Sequence, residues 1–229
     1  MEKFQAWVQQ LDFTQLWEML IVVAASLLCI TFHETCHGLA AYWMGDPTAK
    51  KQGRLSLNPL RHIDIMGLVM MAVCHFGWAK PVPVDMRNFR HPKRDMALTA
   101  AAGPVSNVLL AYLAELLYGL CAYWYYTNGQ AAAYVLALFL YDVEIISAGL
   151  AVFNLIPIPP LDGSKVLLSV LSDRAYDWLM RYERYGMLLL MVLLFTNVLD
   201  VPLEFLRGGL LSGLQAIGDW PVRLLLALR

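Results

Sequence analysis

The chain has 229 residues, of which 59% are hydrophobic and only 15% charged, with a formal net charge of −1. A soluble domain averages roughly 45–50% apolar and about 25% charged residues, so the apolar surplus must face lipid, in keeping with a mean hydropathy of +0.53. The near-zero charge says nothing about nucleic acid and no basic low-complexity tail suggests it, so no nucleic-acid partner is expected, and Cys29, Cys36, Cys74 and Cys121 are too scattered for a disulfide framework.

The first element is an apolar run over residues 13–44, long enough to cross a bilayer core of about 30 Å. Its N-terminal flank carries no small-residue cleavage site, so it is expected to be retained rather than removed as a signal. Gly45-Asp46-Pro47 stops it, because proline cannot continue a helix and glycine relaxes its end. Near its end stands His33-Glu34-Thr35-Cys36-His37. Histidines at i and i+4 share one helical face and can bind one Zn²⁺ together, and the glutamate after the first can act as general base on a water that the metal activates. His33 lies about 17 residues beyond Leu16, or roughly 25 Å at about 1.5 Å per residue, which leaves it in the inner half of the bilayer. Cys36 is expected to be a small packing residue.

The loop that follows is basic. A short apolar stretch at 63–78, interrupted by Asp64, Gly67, His75 and Gly77, reads as a re-entrant or shallow element, tolerated at membrane depth only where protein or water satisfies its backbone. Residues 78–84, Trp78-Ala79-Lys80-Pro81-Val82-Pro83-Val84, are too rich in proline for a helix and read as an edge strand or extended rim. His62, His75 and His91 read as loop or rim residues.

Further spans are expected at 96–126, 131–156 and, marginally, 185–200. Thr127-Asn128-Gly129-Gln130 makes the second and third antiparallel neighbours. Thirteen of the seventeen Lys and Arg fall in the segments 44–95 and 157–184, which a four-span arrangement puts on one side; the positive-inside rule makes that side cytoplasmic and the N-terminus external. The acids Glu115, Asp142 and Glu144 fall within spans, where ionisable residues are functional suspects by default; water-facing or mutually paired structural roles are expected. The tail from 201 to 229 suits an interfacial or peripheral helix. The fold class expected is an all-α integral membrane protein: one domain over 1–229 with its core at about 13–200, a polytopic bundle with a small re-entrant/β element in the first cytoplasmic loop.

A catalytic zinc site takes three protein ligands and one open position. The best candidate for the third is Asp162 in Asn154-Leu155-Ile156-Pro157-Ile158-Pro159-Pro160-Leu161-Asp162-Gly163, where three prolines within four positions break the third span and aim an aspartate back at the bundle. Asn154 offers amide donors to an oxyanion or to a substrate backbone.

These segments together resemble the intramembrane zinc metalloproteases of the site-2 protease family. The likeness rests on His33 to His37, on Asn154 to Gly163, and on Ala102-Gly103-Pro104-Val105-Ser106-Asn107 in the second span. The two loop segments at 53–64 and 77–84 resemble the compact prokaryotic branch. The resemblance covers about residues 20–200 and implies one zinc per chain on His33, His37 and Asp162, with Glu34 as catalytic acid/base and Asn154 holding substrate or oxyanion. It also implies a transmembrane protein substrate cut within or near its span, a multi-pass place in a prokaryotic inner or plasma membrane, and an active site near the cytoplasm. No PDZ insertion separates the second and third spans, and no CBS domain is expected after the last. An inactive homologue would lack an intact Glu34, a metal transporter would need ligands repeated through several spans, and a prenyl-protein endopeptidase would take a glutamate where Asp162 stands. Oligomeric state is left open by the sequence.

Overall fold

The computed structural model describes residues 13–67, 70 and 78–227. Helix α1, Phe13–Trp43, ends at Gly45, whose φ of 111° only glycine adopts readily. Asp46 then accepts from the Thr48 amide at 3.0 Å and starts the single turn α2, Thr48–Lys51. Two 3₁₀ turns follow, Pro59–Arg61 and Met86–Asn88, opened by the side chains of Asn58 and Asp85, which accept from the amides of Leu60 and Arg87.

Helix α3, Pro92–Asn128, begins on a proline whose missing N–H costs nothing there and closes on Gly129 at φ 66°, whose amide bonds Tyr125 O at 2.8 Å. At 37 residues it is about 55 Å long and outreaches the expected span by several residues at its N-terminal end. Helix α4, Ala131–Asn154, returns antiparallel along it. Then come α5, Asp162–Val170, α6, Asp173–Phe195, α7, Asp200–Gly218, and α8, Trp220–Ala227. The core where α1, α3 and α4 meet is built on small side chains, with Ala25, Cys29 and Ala114 packed against Leu140 and Val143, which lets the helix axes approach closely. Glu115 and Glu144 are buried in the same bundle.

The chain is all-helical among the described residues. Three helices, α1, α3 and α4, are long and apolar enough to cross a membrane, and they present Leu20, Val22, Leu109, Leu113 and Leu117 outward. The fourth expected span, 185–200, is helical only to Phe195. It passes the same test only together with the helices from Asp200 onward, from which it is bent by 87°. In the tail, Leu214 of α7 is buried against Ala111 and Ala148, while Val201, Phe205 and Ile217 stay exposed.

The strand expected over 78–84 does not form, and no strand occurs among the described residues. Pro81 and Pro83 have no N–H to give to a ladder, and two of the remaining donors are taken elsewhere: the Lys80 amide bonds His62 O at 2.9 Å and the Val82 amide bonds Glu34 Oε2 at 2.8 Å. Of the re-entrant element at 63–78, residues 68, 69 and 71–77 lie outside the described residues.

Candidate metal centre

His33 and His37 sit one turn apart on α1, their rings edge to face with centroids 4.5 Å apart. Asp162, the first residue of α5, brings Oδ2 to 3.2 Å from His33 Nε2 and 3.0 Å from His37 Nε2, and the two Nε2 atoms are 3.0 Å from each other. All three side chains are buried. His37 Nδ1 lies 2.7 Å from Thr99 O, an acceptor only, so that nitrogen carries the proton and Nε2 presents a lone pair. The His37 lone pair, His33 Nε2 and the Asp162 carboxylate converge on one point, three potential ligand atoms in all. Their separations are close to the roughly 3.3 Å edge of a tetrahedron whose bonds are about 2.0–2.1 Å, so the donor set fits a zinc ion.

Two glycines make this convergence possible. A Cβ on Gly103 of α3 would lie within 2.6 Å of the His33 ring and closer still to His37, so only glycine lets α3 pass beside the imidazoles. Thr99, one turn earlier on the same face, then reaches His37 with its carbonyl. A Cβ on Gly163 would run into the backbone of Leu155 and Ile156, so glycine allows α5 to fold back on the end of α4. The prolines between them do the breaking that the sequence suggests, and α4 stops at Asn154.

Glu34 points from α1 to the extended segment 78–84, where it accepts the Val82 amide. That segment is anchored at both ends. Arg54 Nη2 donates to Lys80 O at 2.7 Å, and the fully buried Asp46 accepts from the Asp85 amide at 2.7 Å and from Asn88 Nδ2 at 2.8 Å. Thr35 Oγ1 and His62 Nε2 both bond Ser56 O, at 3.0 and 2.8 Å, which fixes the loop between the anchors. His62 is thus a loop residue, as expected. Asn154 is not drawn into the triad: its Nδ2 donates to Leu150 O at 3.0 Å within α4.

The structure gathers His33, His37 and Asp162 and sets Glu34 beside them on the same helix. Sequence reasoning missed the Thr99 carbonyl and the Val82 amide, because a backbone group leaves no signature in residue identity. It also missed Asp46, whose one signal is its place between a helix-ending glycine and a proline.

Residues 117–197 match the family described as Peptidase family M50. The chain is 37% identical over 177 residues to the protein named Putative zinc metalloprotease YwhC of Bacillus subtilis, covering 76% of this chain and 80% of that one. It is 30% identical over 186 residues to Putative zinc metalloprotease Rip2 of Mycolicibacterium smegmatis, covering 79% and 69%. With the protein of that name in Mycobacterium tuberculosis, identity is 27% over 197 residues, covering 84% and 73%. No solved structure matches.

Proposed function

Because this chain belongs to peptidase family M50, the site-2 protease family of zinc metallopeptidases, we propose that it is an intramembrane protease acting in regulated intramembrane proteolysis. It hydrolyses peptide bonds within or near transmembrane segments of other membrane proteins. The observation that carries this reading is the convergence of His33, His37 and Asp162 at the end of a helix whose preceding turns expose large apolar side chains.

His33, His37 and Asp162 would hold one zinc ion, which would supply Lewis-acid polarisation of the scissile carbonyl and make water nucleophilic near neutral pH. Glu34 accepts the proton of the attacking water and returns it to the leaving amine. The Val82 amide on Oε2 keeps the Glu34 carboxylate in one orientation. Thr99 O keeps the His37 ring from turning. Asn154, at the last turn of α4 next to the break, engages substrate when its amide leaves Leu150 O.

The clustering of basic residues in 44–95 and 157–184 supports a cytoplasmic position for both loops and for the entry of water, and the bacterial relatives support a prokaryotic plasma membrane. Two measurements test this. Quantitative proteomics of membranes from cells carrying wild type or Glu34→Gln should show membrane-anchored fragments accumulating only with the variant; changes confined to soluble proteins would remove the intramembrane reading. Engineered cysteines near Lys50, Arg90 and Arg174 should label from the cytoplasm and one near Asn128 from outside. Opposite labelling at 50 and 90 would show that 63–78 crosses.

A further inference from the structure

A cavity of about 500 Å³ opens beside α2, lined by Lys51, Arg54, Arg61 and Lys80 together with Leu60 and Ile63. Four cations share it, and no acidic side chain lines it among the described residues. Like charges gathered in one concavity repel unless an anion joins them. Arg54 is the anchor: it is only 8% exposed, and no carboxylate pairs with it among the described residues. Its Nη2 is spent on Lys80 O, while its Nε is buried with no hydrogen-bond partner. A buried guanidinium N–H left unmade is costly, and a phosphate oxygen is the acceptor that a guanidinium fork fits best.

The rim decides which phosphate. Leu60, which lines the cavity, is 75% exposed, and Leu57, Ile65 and Met66 of the same loop are 64%, 79% and 62% exposed, so the segment that supplies the cations also stands open with large apolar side chains. A free phosphate has no use for them, whereas a phospholipid brings acyl chains to cover them and a headgroup to enter the cavity. The loop also follows directly on the end of α1 that the membrane reading puts at the cytoplasmic face.

We propose that this basic cavity binds the phosphate headgroup of an anionic phospholipid. The inference rests on the chain being membrane-embedded. It also ties the lipid to catalysis, because Arg54 holds Lys80 O, two residues before the Val82 amide that bonds Glu34.

The test is native mass spectrometry of the full chain in neutral detergent, offered phosphatidylglycerol or phosphatidylcholine with the same acyl chains, and separately inorganic phosphate. Wild type should retain phosphatidylglycerol at least about fivefold better than phosphatidylcholine, the scale of one basic residue at a charged membrane surface. Lys51→Gln and Arg54→Gln should each remove most of that preference. Arg54 also supports the 78–84 segment, so the exposed Lys51 gives the cleaner variant, with zinc content as the check that the fold survives. Equal retention of the two lipids by wild type, or an undiminished preference in both variants, overturns the proposal. Saturable binding of inorganic phosphate without a lipid preference overturns it in favour of a soluble anion. Cleavage of a transmembrane substrate in phosphatidylcholine nanodiscs tests the intramembrane reading by itself, so activity there with no lipid preference sinks this inference alone.

Discussion

Glu34 Oε2 accepts the backbone amide of Val82 at 2.8 Å, which joins the base of the His33–His37 motif to a loop segment 48 residues further on. The bond depends on a residue with an N–H lying between Pro81 and Pro83, neither of which has one. A hydrogen bond to a charged group contributes about 1.5–3 kcal/mol, so Val82→Pro should lower kcat/KM by roughly tenfold to a hundredfold while zinc content stays that of wild type. Val82→Ala keeps the amide and should retain far more activity. Equal losses in the two variants would show that packing of the side chain, and not the amide, is what Glu34 needs.

Gly103 is the closest approach of α3 to the metal ligands. Gly103→Ala forces a methyl group into both imidazole rings, and overpacking of this kind costs about 1–3 kcal/mol. The expected outcome is a protein that inserts but binds zinc weakly, measured by metal analysis after dialysis against a mild chelator. Wild-type zinc retention would mean that the two helices separate easily, so that the glycine is not what sets the ligand geometry.

Asp46 joins the end of α1 to the Met86–Asn88 turn. Burial pushes its carboxyl up, but hydrogen bonds from Thr48, the Asp85 amide and Asn88 outweigh burial and lower it below the usual carboxylate value. Asp85 itself is held at about 2 by Arg87. Both folded values lie below the unfolded ones, so the stabilisation is present above the ordinary carboxylate range and is lost as pH falls through the folded values. Between pH 7 and pH 3, Tm of the wild type should therefore fall more steeply than that of Asp46→Asn, which starts lower because the clamp is already weakened. Parallel Tm–pH curves would assign the acid sensitivity to other groups.

The helices and the triad were legible in the sequence because each rests on side-chain identity. Apolar length marks α1, α3 and α4, the i, i+4 histidines mark one face, and clustered prolines mark the break before Asp162. Of the two readings of 78–84, an edge strand or an extended rim, the strand fails for a physical reason: proline excludes helix but does not supply a partner strand, and extended backbone is satisfied equally well by His62 O and Glu34 Oε2. Backbone participants such as Thr99 O could be found only once the fold had set α3 against α1.

If the substrate is a transmembrane helix, as proposed, it must unwind locally to be cut. A peptide bond inside a helix has its carbonyl hydrogen-bonded and its backbone wrapped by side chains, out of reach of a half-buried base such as Glu34. A transmembrane substrate carrying Gly, Asn or Pro within a few residues of the scissile bond, on the cytoplasmic side of its span, should be cleaved faster than the same span with Leu there. Cleavage assays on paired substrates in proteoliposomes measure this, and equal rates would remove the unwinding step.

His33, His37 and Asp162 are proposed to form one catalytic zinc site served by Glu34. Its most direct measurement is zinc per chain, taken together with cleavage of one transmembrane substrate, for wild type, Asp162→Ala and Glu34→Gln purified side by side. Wild type should carry about one zinc and be active, Asp162→Ala should lose most of the zinc, and Glu34→Gln should keep full zinc without cleavage. Full zinc occupancy in Asp162→Ala, or cleavage by Glu34→Gln at the wild-type rate, would contradict it.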